Sequence, residues 1–264
     1  MSVAIVTGAS SGLGVTFAQR LAGAGHNLTL VARRRERLEQ IAADLNRDYG
    51  IRAEALVADL ATDEGIDSVA RYISSTPGIQ VLVNNAGFGT KGLFFESDAA
   101  TQHQMHQVHI MATMHLSHAA LRRMIEQRSG AIINVSSVAA FTIGAGSVSY
   151  GATKAWINAF TKGLDAELRL VNSPVKVQAL CPGFTITEFH DTMGVNRSLI
   201  PRGLWLTAEY VVDASLGALQ SGPVIVIPSW KYRVPVMIMK HLPEVALRRI
   251  AQVSGRRMKR LVSN

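Results

Sequence analysis

Apolar residues along the chain concentrate in short runs, at 3–7, 28–32, 53–58, 81–83, 131–135, 176–180 and 224–227, with few polar interruptions, separated by longer segments with helical spacing. Near-continuous runs, as opposed to strict alternation, predict strands buried on both faces. Between them, Leu38, Ile41, Ala42 and Leu45 recur at helical intervals, as do Trp156, Ile157, Phe160, Leu164 and Leu168. Further helices are expected from Gly14 to about Ala24, from near Asp63, over 99–126 as one long rod, and over 208–220. Strand and helix alternate throughout, which predicts an α/β fold: a doubly wound parallel sheet of about seven strands in one domain. Residues 184–205 are too long for a simple connection and mix Phe189, Met193, Leu199 and Leu204 with Gly194 and Gly203, the expected composition of a mobile flap.

Past Ile227 the pattern changes, so the expected division is a domain over 1–228, flap included, and an extension over 229–264. Pro243 suits a helix start. On a helical wheel Leu242, Ala246, Leu247, Ile250, Val253 and Leu261 gather on one side and Arg248, Arg249, Arg256, Lys259 and Arg260 on the other, with Arg257 the exception. Such a helix can lie on an anionic bilayer or pack on its own subunit.

Composition narrows the class. Of 264 residues, 48% are hydrophobic and 17% charged, which describes a well-buried globular protein. The formal charge is +8, yet seven basic residues against Glu244 from Lys240 onward account for +6 of it. The body is nearly neutral, which excludes the basic cleft that a nucleic-acid enzyme needs. A single cysteine, Cys181, permits no internal disulfide and fits a reducing compartment. The first strand begins next to Met1 and leaves no room for a signal peptide, and no run has the ~18 apolar residues of a membrane span, so a cytoplasmic protein is expected, its basic tail packing on its own subunit or a partner, with a membrane surface as the alternative.

The candidate chemistry lies where strands end. Gly8, Gly12 and Gly14, with Ser10, Ser11 and Leu13 among them, join the first strand to the first helix, where glycines permit a tight turn and amides at a helix N-terminus meet a pyrophosphate. A structural turn is the plain alternative. Arg33 and Arg34 follow the second strand where an acid would read a ribose 2′-hydroxyl, so they predict NADP(H); the solvated face of the next helix is the other reading. Asp59 and Leu60 end the third strand, placed to meet an adenine edge or to cap a helix. Asn84, Asn85, Ala86 and Gly87 end the fourth, with amides to bridge strand ends and small residues that leave space for a flat ring. His103, His106, His109, His115 and His118 lack acidic or thiol companions, so no metal site is expected. Tyr150 and Lys154 share a helix face. An ammonium near 4 Å favours a phenolate by about 4 kcal/mol at an effective dielectric of about 20, or roughly three pK units, which would let Tyr150 exchange a proton near neutrality. Ser137 stands at the mouth of the fifth strand.

With these residues in order, residues 1–228 resemble the short-chain dehydrogenase/reductase family. The matching motifs are Thr7-Gly8-x-x-x-Gly12-x-Gly14, Asp59-Leu60, Asn84-Asn85-Ala86-Gly87, Ser137, Tyr150-x-x-x-Lys154 and Pro182-Gly183-x-x-x-Thr187. The resemblance implies that Tyr150 is the general acid/base, that Ser137 holds the substrate oxygen, and that Lys154 grips the nicotinamide ribose while lowering the Tyr150 pKa. It also implies that Thr187 and the backbone near Thr185 hold the carboxamide. One position departs: His109 stands where such proteins usually carry an Asn thought to hold a water in a proton relay, so His109 either serves the relay or only packs. The implied activity is NADP(H)-dependent interconversion of a ketone and a secondary alcohol. Phe88, Phe94, Phe141, Phe184, Phe189, Met193 and Trp205 favour a bulky or long-chain apolar substrate, in weak similarity to the hydroxysteroid and 3-ketoacyl reductase branch. A homodimer or homotetramer through the two long helices is expected. A catalytically silent NADP(H)-binding regulatory or scaffold protein is the alternative, though it has no need of Ser137, Tyr150 and Lys154 together. A sugar epimerase or dehydratase fits the glycine spacing poorly.

Overall fold

In the computed structural model, which describes residues 2–90, 92–142, 144–189, 200–243 and 245–249, the apolar runs pair side by side. The strands are β1 (Val3–Thr7), β2 (Asn27–Ala32), β3 (Ala53–Val57), β4 (Ile79–Asn84), β5 (Ala131–Val135), β6 (Lys176–Leu180) and β7 (Ile225–Val226). They form one all-parallel sheet in the order β3-β2-β1-β4-β5-β6-β7. The order reverses between β1 and β4, and the crevice beyond the carboxyl ends of those strands is where open sheets of this kind take ligands.

The helices are α1 (Gly12–Gly23), α2 (Arg35–Tyr49), α3 (Asp63–Ser75), α4 (Ala99–His106), α5 (Thr113–Glu126), α6 (Val148–Leu170), α7 (Ala208–Ser221) and α8 (Trp230–Met239). Successive residues of β1 point to opposite faces and therefore join different cores. Ala4 and Val6 pack with Phe17 and Leu21 of α1, Leu38 and Leu45 of α2, and Val211 and Val212 of α7. Val3 and Ile5 pack with Ile66 and Ile73 of α3, Leu116 and Met124 of α5, and Leu168 of α6. Burial on both faces is the reason β1 reads as an unbroken apolar run up to Thr7.

Three local features bear on the site. The single rod over 99–126 is interrupted by a π-helical turn, Gln107–Ala112, which widens the helix at His109. α8 forms despite Pro235 within it, with Ser229 accepting a hydrogen bond from the Lys231 amide at its start. The inserted segment after β6 is pinned at both stems: the Ile186 amide donates to the Leu206 carbonyl and the Leu206 amide to the Phe184 carbonyl, each at 2.9 Å. Of the expected flap over 184–205, residues 190–199, Met193 included, lie outside the described residues, as do residues 250–264 of the expected tail helix. The chain turns at Pro243, whose carbonyl accepts from the amides of Ala246 and Leu247. Among the described residues no helix is long and apolar enough to cross a membrane.

Candidate active site

α6 begins directly after the β5 loop and lays Tyr150, Thr153 and Lys154 beneath the mouth of the sheet. Lys154, only 5% exposed, donates from Nζ to the Val135 carbonyl at 2.8 Å, and its own carbonyl accepts from Ser136 Oγ at 2.9 Å. The side chain is thereby fixed to the end of β5. Its Nζ lies 5.7 Å from the centroid of the Tyr150 ring. Ser137 accepts from the Ala139 amide at 3.1 Å, capping the 3-10 turn Val138–Phe141, and its hydroxyl is near enough to Tyr150 to favour the phenolate. Ser137, Tyr150 and Lys154 are therefore brought together as the motif spacing predicts.

The charge balance at this point is a correction. Lys154 was expected to hold the phenol near neutrality, but burial dominates and pushes Tyr150 up to about 12, with the Ser137 hydrogen bond pulling the other way. Burial likewise draws Lys154 down to about 7. The phenol in this arrangement is a stored acid, protonated throughout the neutral range. Cys181, also buried, donates from Sγ to Asn158 Oδ1 at 3.3 Å and its thiol is pushed up to about 11.

His109 is 1% exposed on the π turn. Its Nδ1 lies 2.8 Å from Thr153 Oγ1, and its Nε2 accepts from the Phe88 amide at 3.3 Å. The ring meets Tyr150 edge-on, with centroids 5.8 Å apart. A Cβ placed on Gly87 would stand 2.7 Å from His109 Nε2, so the missing side chain there makes room for the histidine. Phe189, at the start of the inserted segment, reaches Tyr150 with ring centroids 6.0 Å apart.

The β1–α1 loop and the ends of β4 and β6 close around one another. Thr7 Oγ1 accepts from the amides of Asn85 and Ala86, and Asn85 Nδ2 donates to the Thr7 carbonyl at 2.9 Å. A side chain on Gly14 would collide with the Gly8 carbonyl oxygen, and one on Gly8 would meet Ala86 at 2.9 Å. Both glycines thus permit internal packing. A Cβ placed on Gly12, whose φ is +53, would stand 3.1 Å from Thr187. Ser11 at the N-cap of α1 is extended and its side chain makes no capping bond. The β2 loop brings Arg34 over this turn: its Nε and Nη2 donate to Ser10 Oγ at 3.2 and 3.1 Å, and Nη2 to the Ser10 carbonyl at 3.0 Å. Arg33 lies 3.9 Å from Asp59, whose other oxygen accepts from the Ala61 amide. The cap of α3 is Thr62, not Asp59. Leu60 is buried against Ile66 and Val69.

The sequence profile of the short chain dehydrogenase family matches residues 2–197. The chain belongs to the short-chain dehydrogenase/reductase family. A 3-oxoacyl-[acyl-carrier-protein] reductase of Aquifex aeolicus is 36% identical over 220 residues, covering 81% of this chain and 88% of the relative. Among solved structures, a short-chain dehydrogenase from Sphingobium yanoikuyae in complex with NADPH is 32% identical, with a TM-score of 0.83 over 92% of this chain and 97% of that one. A bulky-bulky ketone specific alcohol dehydrogenase from Comamonas testosteroni is 28% identical, with a TM-score of 0.78 over 92% and 96%. The protein is thus of an oxidoreductase class whose members bind a nicotinamide dinucleotide.

The donor set fits that group. Uncapped amides at the start of α1 and two guanidinium groups beyond β2 suit phosphate oxygens, and the Ser137–Tyr150–Lys154 cluster lies at the same sheet edge. Two further groups were not legible beforehand. Thr153 carries no motif signal, and Tyr232 on α8 reaches the β6 loop, where a side chain on Gly183 would overlap its ring. His103, His106, His115 and His118 do not converge on a cation site: among the described residues no three His, Cys, Asp or Glu side chains cluster for one.

Proposed function

We propose that this short-chain dehydrogenase/reductase interconverts a ketone and a secondary alcohol with NADP(H), on a bulky or long-chain apolar substrate. The observation that carries the reading is the convergence of Ser137 and Tyr150 beside a lysine anchored to β5. When bound, the nicotinamide supplies or accepts the hydride. Ser137 orients the carbonyl oxygen of the substrate. Tyr150 donates its phenolic proton to that oxygen as charge develops on it, and a phenol held protonated is suited to reduction. Lys154 holds the ribose. Gly8, Ser10, Ser11, Gly12, Leu13 and Gly14 receive the pyrophosphate, and Asp59, Leu60, Asn85, Ala86 and Gly87 flank the adenine and ribose. Pro182, Gly183, Thr185 and Thr187 flank the carboxamide.

Arg33 and Arg34 favour the 2′-phosphate, a preference supported by the NADPH complex of the Sphingobium relative. Phe88, Phe189, Phe184 and Trp205 around the cleft, together with the ketone named for the Comamonas relative, support an apolar substrate. Residues 1–228 form the catalytic domain and 229–264 an extension. The protein works in the cytoplasm as a homodimer or homotetramer, through helix faces such as the one carrying the stacked rings of Trp156 and Phe160. The basic extension touches anionic membrane surfaces, which vesicle co-sedimentation of the chain with and without residues 241–264 would test.

The test is loss of NADPH absorbance across a panel of bulky and long-chain ketones. Tyr150→Phe is expected to lower kcat by about 10²–10⁴-fold. Undiminished turnover in Tyr150→Phe overturns the mechanism, and tight NADPH binding without turnover of any ketone favours a silent regulatory protein.

A further inference from the structure

Two bonds on His109 fix its protonation state. The Phe88 amide can only donate, so Nε2, 3.3 Å away, must present its lone pair. On the other side Thr153 Oγ1 has one proton, and it goes to the Tyr150 carbonyl at 2.9 Å. Oγ1 must then accept from Nδ1 at 2.8 Å, which makes Nδ1 the protonated nitrogen. A run of directed bonds results: Phe88 amide to His109, His109 to Thr153, Thr153 to the Tyr150 backbone. Both His109 and Thr153 are 1% exposed, so water does not replace either partner. The ring also packs edge-on against Tyr150 and, on its other side, against Phe88 with centroids 6.3 Å apart.

We propose that His109 is a positioning residue: a neutral imidazole locked with its proton on Nδ1, which sets the orientation of Tyr150 through Thr153 and carries no proton in turnover. The inference rests on Tyr150 being the proton donor of the proposed reaction. The titratable groups facing the ring are Lys154 and Tyr150 of α6 and His106 of its own helix. Burial, then the charges of Lys154 and His106, hold His109 well below the ordinary imidazole range. Protonation would also set an Nε2–H against the Phe88 N–H.

The geometry separates two substitutions. An Asn side chain reaches the place of Nδ1 and keeps donation to Thr153, whereas Gln reaches the place of Nε2 and keeps only acceptance from Phe88. The expected order of kcat, on the ketone turned over best, is wild type, then His109→Asn, then His109→Gln and His109→Phe. The last two should fall by about ten- to a hundredfold, as for a misplaced reacting group, with little change in either KM. Thr153→Val, which leaves the histidine in place, should fall equally, and combining it with His109→Phe should add little. Histidine ¹⁵N spectra should show Nδ1 protonated and Nε2 bare from about pH 5 to 9, a range in which an ordinary imidazole titrates. The pH profile of kcat should keep the same limbs in His109→Asn.

A limb that vanishes in His109→Asn, or a ring that titrates within that range, makes His109 a proton carrier and overturns the proposal. Unchanged kcat in both His109→Phe and Thr153→Val reduces it to packing and overturns it as well. Should no ketone be turned over, the reading of the reaction fails, while the spectra still decide the tautomer on the wild-type chain.

Discussion

Tyr232 donates its hydroxyl proton to the carbonyl oxygen of Leu204 across 2.7 Å. The Tyr232 hydroxyl oxygen in turn accepts from the Phe184 amide at 3.0 Å, so one side chain of α8 ties both stems of the segment inserted after β6. Lys231, its neighbour on α8, adds a bond from Nζ to the Gly203 carbonyl at 2.7 Å. The helix therefore braces the strand-end loop that carries Thr185, Thr187 and Phe189.

Tyr232→Phe keeps the ring against Gly183 and removes the two hydroxyl bonds. At about 0.5–1.5 kcal/mol each, their loss corresponds to a melting temperature lower by at least about 2 °C for a domain of this size. A thermal melt checks it, and an unchanged midpoint would show that the hydroxyl does not brace the stems.

Arg34 lies 3.5 Å from Glu188, at the foot of the inserted segment. A carboxylate there competes with a cofactor 2′-phosphate for the same guanidinium. Exposed pairs contribute about 0–1 kcal/mol, so Glu188→Gln should tighten NADPH binding by up to about fivefold and leave NADH binding unchanged. Titration calorimetry with both dinucleotides checks this. An equal shift for the two would mean that Arg34 does not read the phosphate.

Most of the sheet was legible because its strands are buried on both faces, which leaves runs such as Val3-Ala4-Ile5-Val6 with no polar interruption. The Tyr150/Lys154 spacing likewise fixed a shared helix face. It could not tell that Lys154 would turn to the Val135 carbonyl, because that partner is remote in sequence and the choice depends on how β5 meets α6. The π turn at His109 was hidden for a related reason: one extra residue in a helical turn does not disturb the apolar spacing on either side of it. Thr153 resembles any helix-interior threonine until the histidine opposite is seen. The glycines were legible as a turn, but their purpose was not. A Gly65 side chain would strike the Asp59 carbonyl, and the Gly14 case is similar, so these positions serve packing between elements that only the fold brings together.

The buried lysine leads to a prediction about stability and pH. Burial lowers Lys154 from 10.5 to about 7 in the folded protein, while the unfolded chain keeps the ordinary value. Between those two values the unfolded state binds more protons than the folded one, so raising the pH through that window stabilises the fold. Cys181, raised from 9.0 to about 11, and Tyr150, raised from 10.0 to about 12, act in the opposite sense. Each binds its proton more tightly when folded and takes stability away once the pH passes its unfolded value. The lysine contribution is therefore isolated between about pH 7 and 9. The melting temperature of the wild-type chain should rise across this interval. Lys154→Met, which keeps the side-chain length and removes the buried cation, should show a flatter dependence and the larger gain in stability at the acid end. Parallel melting curves for the two proteins across the interval would show that Lys154 is not held down in the folded state.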